Sequence, residues 1–179
     1  MNKKKISLTV IDTIALQIKQ LTDDLVKELN KGSDIDIRKV KKLVEKGADI
    51  KTKTDEEITL LHLASQFDDV QLAKMCIEAG VDVDVLNDVG GTPLFYGAYY
   101  NSLKTVKLLI DFGADVNAKD IAEETPLHSA CSGNSLETAK LLINSGANIN
   151  AKSYEGVMPL DYATNQELES LLIQNGATE

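Results

Sequence analysis

The sequence predicts an all-α fold: a solenoid of stacked helix–turn–helix units, each ending in a protruding loop. Two observations carry this expectation. A block returns at a step of 33, as Thr59-Leu60-Leu61-His62, Thr92-Pro93-Leu94-Phe95, Thr125-Pro126-Leu127-His128 and Met158-Pro159-Leu160-Asp161. A second block keeps the same register: Gly47-Ala48-Asp49-Ile50, Gly80-Val81-Asp82-Val83, Gly113-Ala114-Asp115-Val116 and Gly146-Ala147-Asn148-Ile149. A period in this range marks supersecondary units that cannot bury their apolar faces alone. A stack of such units offers a long surface more readily than a deep pocket.

The chain begins with Lys3, Lys4 and Lys5, followed by the run from Ile6 to Ile11. This has the look of a secretory leader, but Asp12 cuts the apolar run short and no small-residue cleavage site follows. Ile11, Ile14, Ile18, Leu21 and Leu25 then recur at three and four, the stripe of an amphipathic helix. A helix of about 18–20 residues is expected, folded back as an N-terminal cap. Pairing of its outer turns with another protein or a second copy is the alternative. Residues 35–46 read as a second helix with Ile37, Val40, Leu43 and Val44 inward. Lys39 and Lys42 occupy positions that are apolar in the inner units, as expected where no further unit stacks.

The unit 87–119 shows the repeat most fully. Asn87-Asp88-Val89-Gly90-Gly91 is a turn cluster. Thr92 is placed to cap a helix and Pro93 to open it, where a missing N–H costs nothing. That short helix should run to about Tyr100, and Asn101-Ser102 should break it. Leu103, Val106, Leu109 and Ile110 recur at helical spacing as a second helix, which Gly113 ends.

Thr-Pro-Leu-His, followed two helices later by Gly-Ala-Asn-Ile-Asn-Ala at Gly146–Ala151, resembles the ankyrin repeat; Gly113–Ala118, read Gly-Ala-Asp-Val-Asn-Ala, matches that second motif as well. The resemblance covers about residues 21–177. It implies one elongated domain over 1–179, with a long helix and partial capping repeat over 1–53. Full repeats would span 54–86, 87–119 and 120–152, and a shortened capping repeat 153–179. It also implies antiparallel helix pairs with hairpin loops at right angles, and a concave surface of hairpin tips and first helices. Leu60 departs from the usual proline, so that helix start should be less rigid. Phe95 and Asp161 replace the motif histidine. Gly97 stands where alanine is usual, and alanine there should stabilise by up to about 1 kcal/mol.

Charge is unevenly distributed. Residues 1–53 carry a net +5 and residues 54–179 a net −14, within a total of −9. The acidic part argues against nucleic acid, because phosphate contacts need cations. It favours a basic protein partner, or simple solubility. No run of about 18 apolar residues exists, so no membrane span is expected. Cys76 and Cys131 fall in periodic apolar segments and read as buried free thiols, which fits a reducing compartment. Lysine outnumbers arginine eighteen to one. This looks like the coding bias of an A/T-rich genome. With a short stand-alone array, it resembles proteins of intracellular bacteria, some of which enter host cells. The expected location is the cytoplasm, or a host cell after delivery.

No catalytic constellation is legible, and neither cofactor nor metal is expected. His62 and His128 lie two repeats apart, roughly 20 Å at usual helix spacings. Each ring should hydrogen-bond backbone near a repeat junction. Gly90-Gly91 lacks the Lys-Ser/Thr of a phosphate loop, and Asp55-Glu56-Glu57 and Glu123-Glu124 follow no calcium-loop pattern.

The expected function is therefore non-catalytic binding of a basic protein. Phe67 and Tyr100 are equivalent residues at the ends of adjacent first helices, with Tyr99 alongside. Hairpin tips beside them carry Asp55, Glu56, Asp88 and Glu124, and further on Tyr154 and Glu155. Aromatic anchors in a polar rim are typical of binding hot spots; packing of these rings on one another is the other reading. Asn117, after Asp115-Val116 and eight residues beyond Leu109, resembles the ankyrin sites modified by an asparaginyl hydroxylase. Bracing of the hairpin by its side chain is the plainer alternative. The protein is expected to be a monomer, with dimerisation through the N-terminal helix as the alternative.

Overall fold

The computed structural model describes residues 3–178, and side chains from residue 10 onward apart from Ser33. Met1, Asn2, Glu179 and the side chains of the Lys3–Lys5 cluster lie outside that description. Among the described residues the ordered elements are helices, and no helix is long and apolar enough to cross a membrane. The chain divides into two compact units, residues 1–55 and 56–179.

The first unit holds α1 (Lys3–Leu29), a 3-10 turn (Gly32–Asp34) and α2 (Ile37–Glu45). At 27 residues, α1 is longer than its apolar spacing suggested. No glycine, proline or strong cap interrupts it, so nothing local stops the helix. Its inner end packs on α2: Leu25 and Leu29 are buried with Val40, Leu43 and Val44. Asp36 caps α2, accepting from the backbone N–H of Arg38 and Lys39. Residues 10–20 of α1 are all exposed.

Lys39 is not a free outer charge, as its position had suggested. Its Nζ lies 2.7 Å from the Glu28 carboxylate, which also takes Lys31 at 2.9 Å and the Asp36 N–H at 3.1 Å. Glu28 is 1% exposed. These partners, Lys39 foremost, hold its pKa down at about 2 against the cost of burial.

The second unit stacks two rows of helices. The first row is α3 (Leu60–Gln66), α5 (Pro93–Tyr99), α7 (Pro126–Ser132) and a 3-10 turn (Pro159–Tyr162). The second is α4 (Val70–Glu78), α6 (Leu103–Asp111), α8 (Leu136–Asn144) and α9 (Gln166–Gln174). Consecutive members of each row pack together. Leu60, Leu61, Leu72, Leu94, Leu109, Leu127, Leu142, Leu168 and Leu172 are fully buried between them. Each such side chain contributes about 1.5–3 kcal/mol of burial. Leu60 thus exchanges the rigidity of proline for core volume. Cys76 and Cys131 are free and buried, and burial pushes both thiols up to about 12.

Within the second unit, histidine stitches one repeat to the next. The Thr59 N–H and hydroxyl lie 3.1 and 2.9 Å from Nδ1 of His62, whose Nε2 donates to the Gly91 carbonyl at 3.1 Å. His128 repeats this with Thr125 and the Val157 carbonyl. A carbonyl can only accept and the threonine N–H can only donate, so Nε2 carries the ring proton in these bonds and Nδ1 accepts. Phe95 breaks the pattern. Thr92 has the dihedrals of a capping residue, but its Oγ1 is buried with no hydrogen-bond partner. Asp161 restores part of it, accepting from the Met158 N–H at 2.7 Å.

Gly97 overturns the expectation attached to it. The residue is helical, but a Cβ there would sit 2.6 Å from Cγ2 of Val106, itself fully buried. The missing methyl is the room that α6 occupies.

Candidate functional site

The hairpin tips of the second unit are joined edge to edge. The Asp88 N–H donates to the Glu56 carbonyl at 3.2 Å, Ile121 to Val89 at 3.1 Å, and Tyr154 to Ala122 at 2.7 Å. Each tip is closed within itself by a polar side chain. Asn87 accepts from Gly91 N–H at 2.8 Å, Asp120 from Glu124 N–H at 2.9 Å, and Ser153 from Val157 N–H at 3.2 Å. Positions 57, 90, 123 and 156 all have positive φ. Glycine fills two of them without strain, whereas Glu57 and Glu123 hold a conformation that L residues rarely adopt. Acidic side chains stand at these tips despite that local cost.

The ends of the first helices are pinned from the following repeat. Asn101 has φ +55°, and its Oδ1 accepts from both the N–H (3.2 Å) and the hydroxyl (2.9 Å) of Thr138. Ser135 donates to the Tyr99 carbonyl at 2.8 Å. Asp68 treats Thr105 in the same way, at 2.9 and 3.1 Å. The N-termini of α6 and α8 are thus capped by the preceding repeat, which explains why Ser102 and Ser135 make no cap bond of their own. Gly133 permits this approach: a Cβ there would fall 2.0 Å from the Tyr99 oxygen. The aromatic series ends at Gly133 for a packing reason.

On this fixed backbone the rings of Tyr99 and Tyr100 stand edge to face, with centroids 5.1 Å apart. They are 47% and 51% exposed, and Phe67 is 41% exposed. The tyrosines therefore both pack on one another and face solvent. Glu56, Asp88, Tyr154 and Glu155 are exposed, Tyr154 at 83%. Asp55 is exposed too, at the end of the first unit. Glu124 is half-buried and accepts from the Tyr162 hydroxyl at 2.5 Å, which with burial pushes that phenol up to about 12. It braces the last turn as much as it faces outward.

Val89 and Ile121 belong to the same surface, 46% and 73% exposed. The sequence reading passed over them. The signal was an apolar residue in a turn cluster, legible only once Asp88, Ile121 and Tyr154 are read as one register position.

Asn117 is built into the loops. Its Nδ2 donates to the Gly146 carbonyl at 3.1 Å and its Oδ1 accepts from the Asn148 N–H at 2.7 Å. Asn150 does the same one repeat on, with Gly176 and Thr178. Asp84 holds the equivalent position. It can only accept, from Asp115 N–H, and burial followed by the nearby Asp115 and Asp82 carboxylates raises its pKa. Among the described residues no group of three or more His, Cys, Asp or Glu could hold a metal ion.

Paired helices in two rows, loop tips hydrogen-bonded in register and repeat-to-repeat histidine bonds define a helical repeat scaffold that presents a surface. The model of ankyrin repeats in three copies matches residues 24–120, and a second ankyrin-repeat model matches residues 109–163. The chain belongs to the ankyrin-repeat family. Its repeats indicate a protein–protein interaction module. No curated protein matches it.

Proposed function

We propose that the second unit binds a basic protein through its hairpin tips and first-helix ends. The observation that carries this reading is the Tyr99–Tyr100 pair: two half-exposed rings on a backbone held from the next repeat. A preorganised aromatic pair loses little entropy on binding. Val89, Ile121 and Tyr154 extend the apolar contact along the tips, and Glu56, Asp88 and Glu155 supply the acidic rim. Phe67 adds a third ring one repeat earlier, about 10 Å away at ordinary helix spacing. The net −14 of residues 54–179 selects a basic partner and speeds encounter with it. Work inside a host cell is a reading that rests on the compositional resemblance alone, and fractionation of infected cells tests it.

The test is capture from the source cell or its host at low and high salt, then titration of the captured partner. Replacing both Tyr99 and Tyr100 with alanine should weaken binding by about 30-fold or more, the scale of a hot spot. Neutralising Asp88 and Glu155 should chiefly slow association and flatten its salt dependence. Affinity within threefold of wild type after the double tyrosine replacement would remove this surface from consideration. The other reading, hydroxylation of Asn117, requires both of its bracing bonds to open. Unmodified Asn117 by mass spectrometry, after exposure to the hydroxylase, ends it.

A further inference from the structure

The first unit leaves an apolar seam uncovered. Ile11, Ile14, Ile18, Leu21 and Leu25 follow one another at steps of three and four, the 3.5-residue spacing of a coiled-coil seam. The inner end of this stripe is closed: Leu25 is buried against α2, and Thr22 accepts the Asp49 N–H at 3.0 Å. But α2 has nine residues, about 14 Å, against about 40 Å for α1. Beyond its end, Ile11, Ile14 and Ile18 are 60%, 50% and 44% exposed. A cleft of about 530 Å³ opens where the stripe leaves α2, lined by Ile14, Ile18, Leu21, Lys46 and Gly47 among others.

We propose that this seam is covered by the same seam of a second copy, in antiparallel alignment. The free seam positions Ile11, Ile14 and Ile18 are all isoleucine, apolar side chains that can pack into a like seam. Along the free part of the seam the flanking positions are Val10, Ala15 and Gln17, which carry no charge, even though the chain as a whole carries −9. Charged flanks are the usual means of selecting a different partner, and here they are missing. The exposed parts of Ile11, Ile14 and Ile18, with Ala15 and Gln17 beside them, make a small contact of the kind that forms weak and reversible dimers. Alignment follows from α2, which already occupies residues 22–29 of the stripe. A parallel, in-register copy would bring two α2 helices to the same end of one seam. An antiparallel copy lays each free half on the other, with Ile14 near the two-fold axis and Ile11 opposite Ile18. Leu16, 69% exposed, lies on the far face and stays outside this contact.

The inference does not depend on the repeat surface being a binding site. Sedimentation of the full chain over roughly 5–500 µM should show a mass rising from monomer toward dimer, as expected for an interface of this size. The variant Ile14→Lys/Ile18→Lys changes two solvent-exposed positions and should weaken association by about 50-fold or more while keeping the helical signal. Cysteine pairs test the alignment, because the native Cys76 and Cys131 are fully buried. An equal mixture of the Ile11→Cys and Ile18→Cys variants should form a disulfide-linked dimer faster than either variant alone. A wild-type chain that stays monomeric throughout, or a dimer that survives the double lysine variant, overturns the proposal. Faster cross-linking of Ile18→Cys with itself overturns the antiparallel alignment.

Discussion

Gly97 shows how far a single methyl decides the sign of an effect. In an isolated helix, alanine is better than glycine by up to about 1 kcal/mol. Here the new Cβ meets Cγ2 of Val106 at 2.6 Å. Val106 is fully buried and β-branched, so its χ1 cannot yield cheaply. Overpacking of this kind costs about 1–3 kcal/mol and outweighs the propensity gain. Gly97→Ala should therefore lower the urea midpoint, by about 1–2 kcal/mol in stability. In a Val106→Ala background the same change should become neutral or stabilising. A single variant at or above the wild-type midpoint would show that the neighbouring helix shifts freely. Phe95 and Thr92 tell a related story: an apolar ring where histidine stands elsewhere keeps the core filled but leaves a buried hydroxyl without a partner.

At the scale of the element, helix ends here are not self-sufficient. The N-terminus of α8 takes its side-chain acceptor from Asn101, 37 residues earlier. This couples the order of one repeat to the order of the next. Asn101→Gly keeps the positive φ and removes only the bonds to Thr138, so it should cost about 1 kcal/mol. Asn101→Ala removes the bonds and adds left-handed strain, and should cost about 1 kcal/mol more. Equal losses in the two variants, read from urea midpoints, would mean that the backbone there is not strained. Both changes should also loosen the Tyr99–Tyr100 turn, since the same bonds hold it.

At the scale of the whole molecule, the two units answer to acid differently. Glu28 has its pKa lowered from 4.5 to about 2 in the folded state. The unfolded chain therefore binds more protons across that interval. The stabilisation from Glu28 is complete above about pH 4.5 and is lost as the pH falls toward about 2. Asp84, in the second unit, has a raised pKa and works in the opposite sense, so its folded state gains from protonation as the pH falls toward the ordinary carboxylate value. Protection of the α2 amides, taken against their intrinsic exchange rates at each pH, should fall between about pH 4.5 and 2. Glu28→Gln should flatten that acid limb and lower stability at pH 7 by about 1–2 kcal/mol, because Lys31 and Lys39 lose their anionic partner. Unchanged pH dependence in the variant would show that other carboxylates dominate the acid limb.

The repeat register, the helix pairs and the fold class were determined by the sequence alone, because they depend on local periodicity and on turn chemistry at a fixed step. Thr125-Pro126-Leu127-His128 carries its own helix start, and Gly113 its own stop. The acidic tips and the Phe67, Tyr99 and Tyr100 series were legible for the same reason. What crosses from one repeat to the next was not. That Asn101 caps α8, that Gly133 admits the Tyr99 carbonyl and that Gly97 makes room for Val106 depends on distances across 9–37 residues of chain. The partnership of Lys39 with a buried Glu28, and the uncovered stripe of α1 beyond α2, depend likewise on where one helix stops against another. Periodicity states which face of a helix is apolar; only tertiary packing decides how much of that face is covered, and by what.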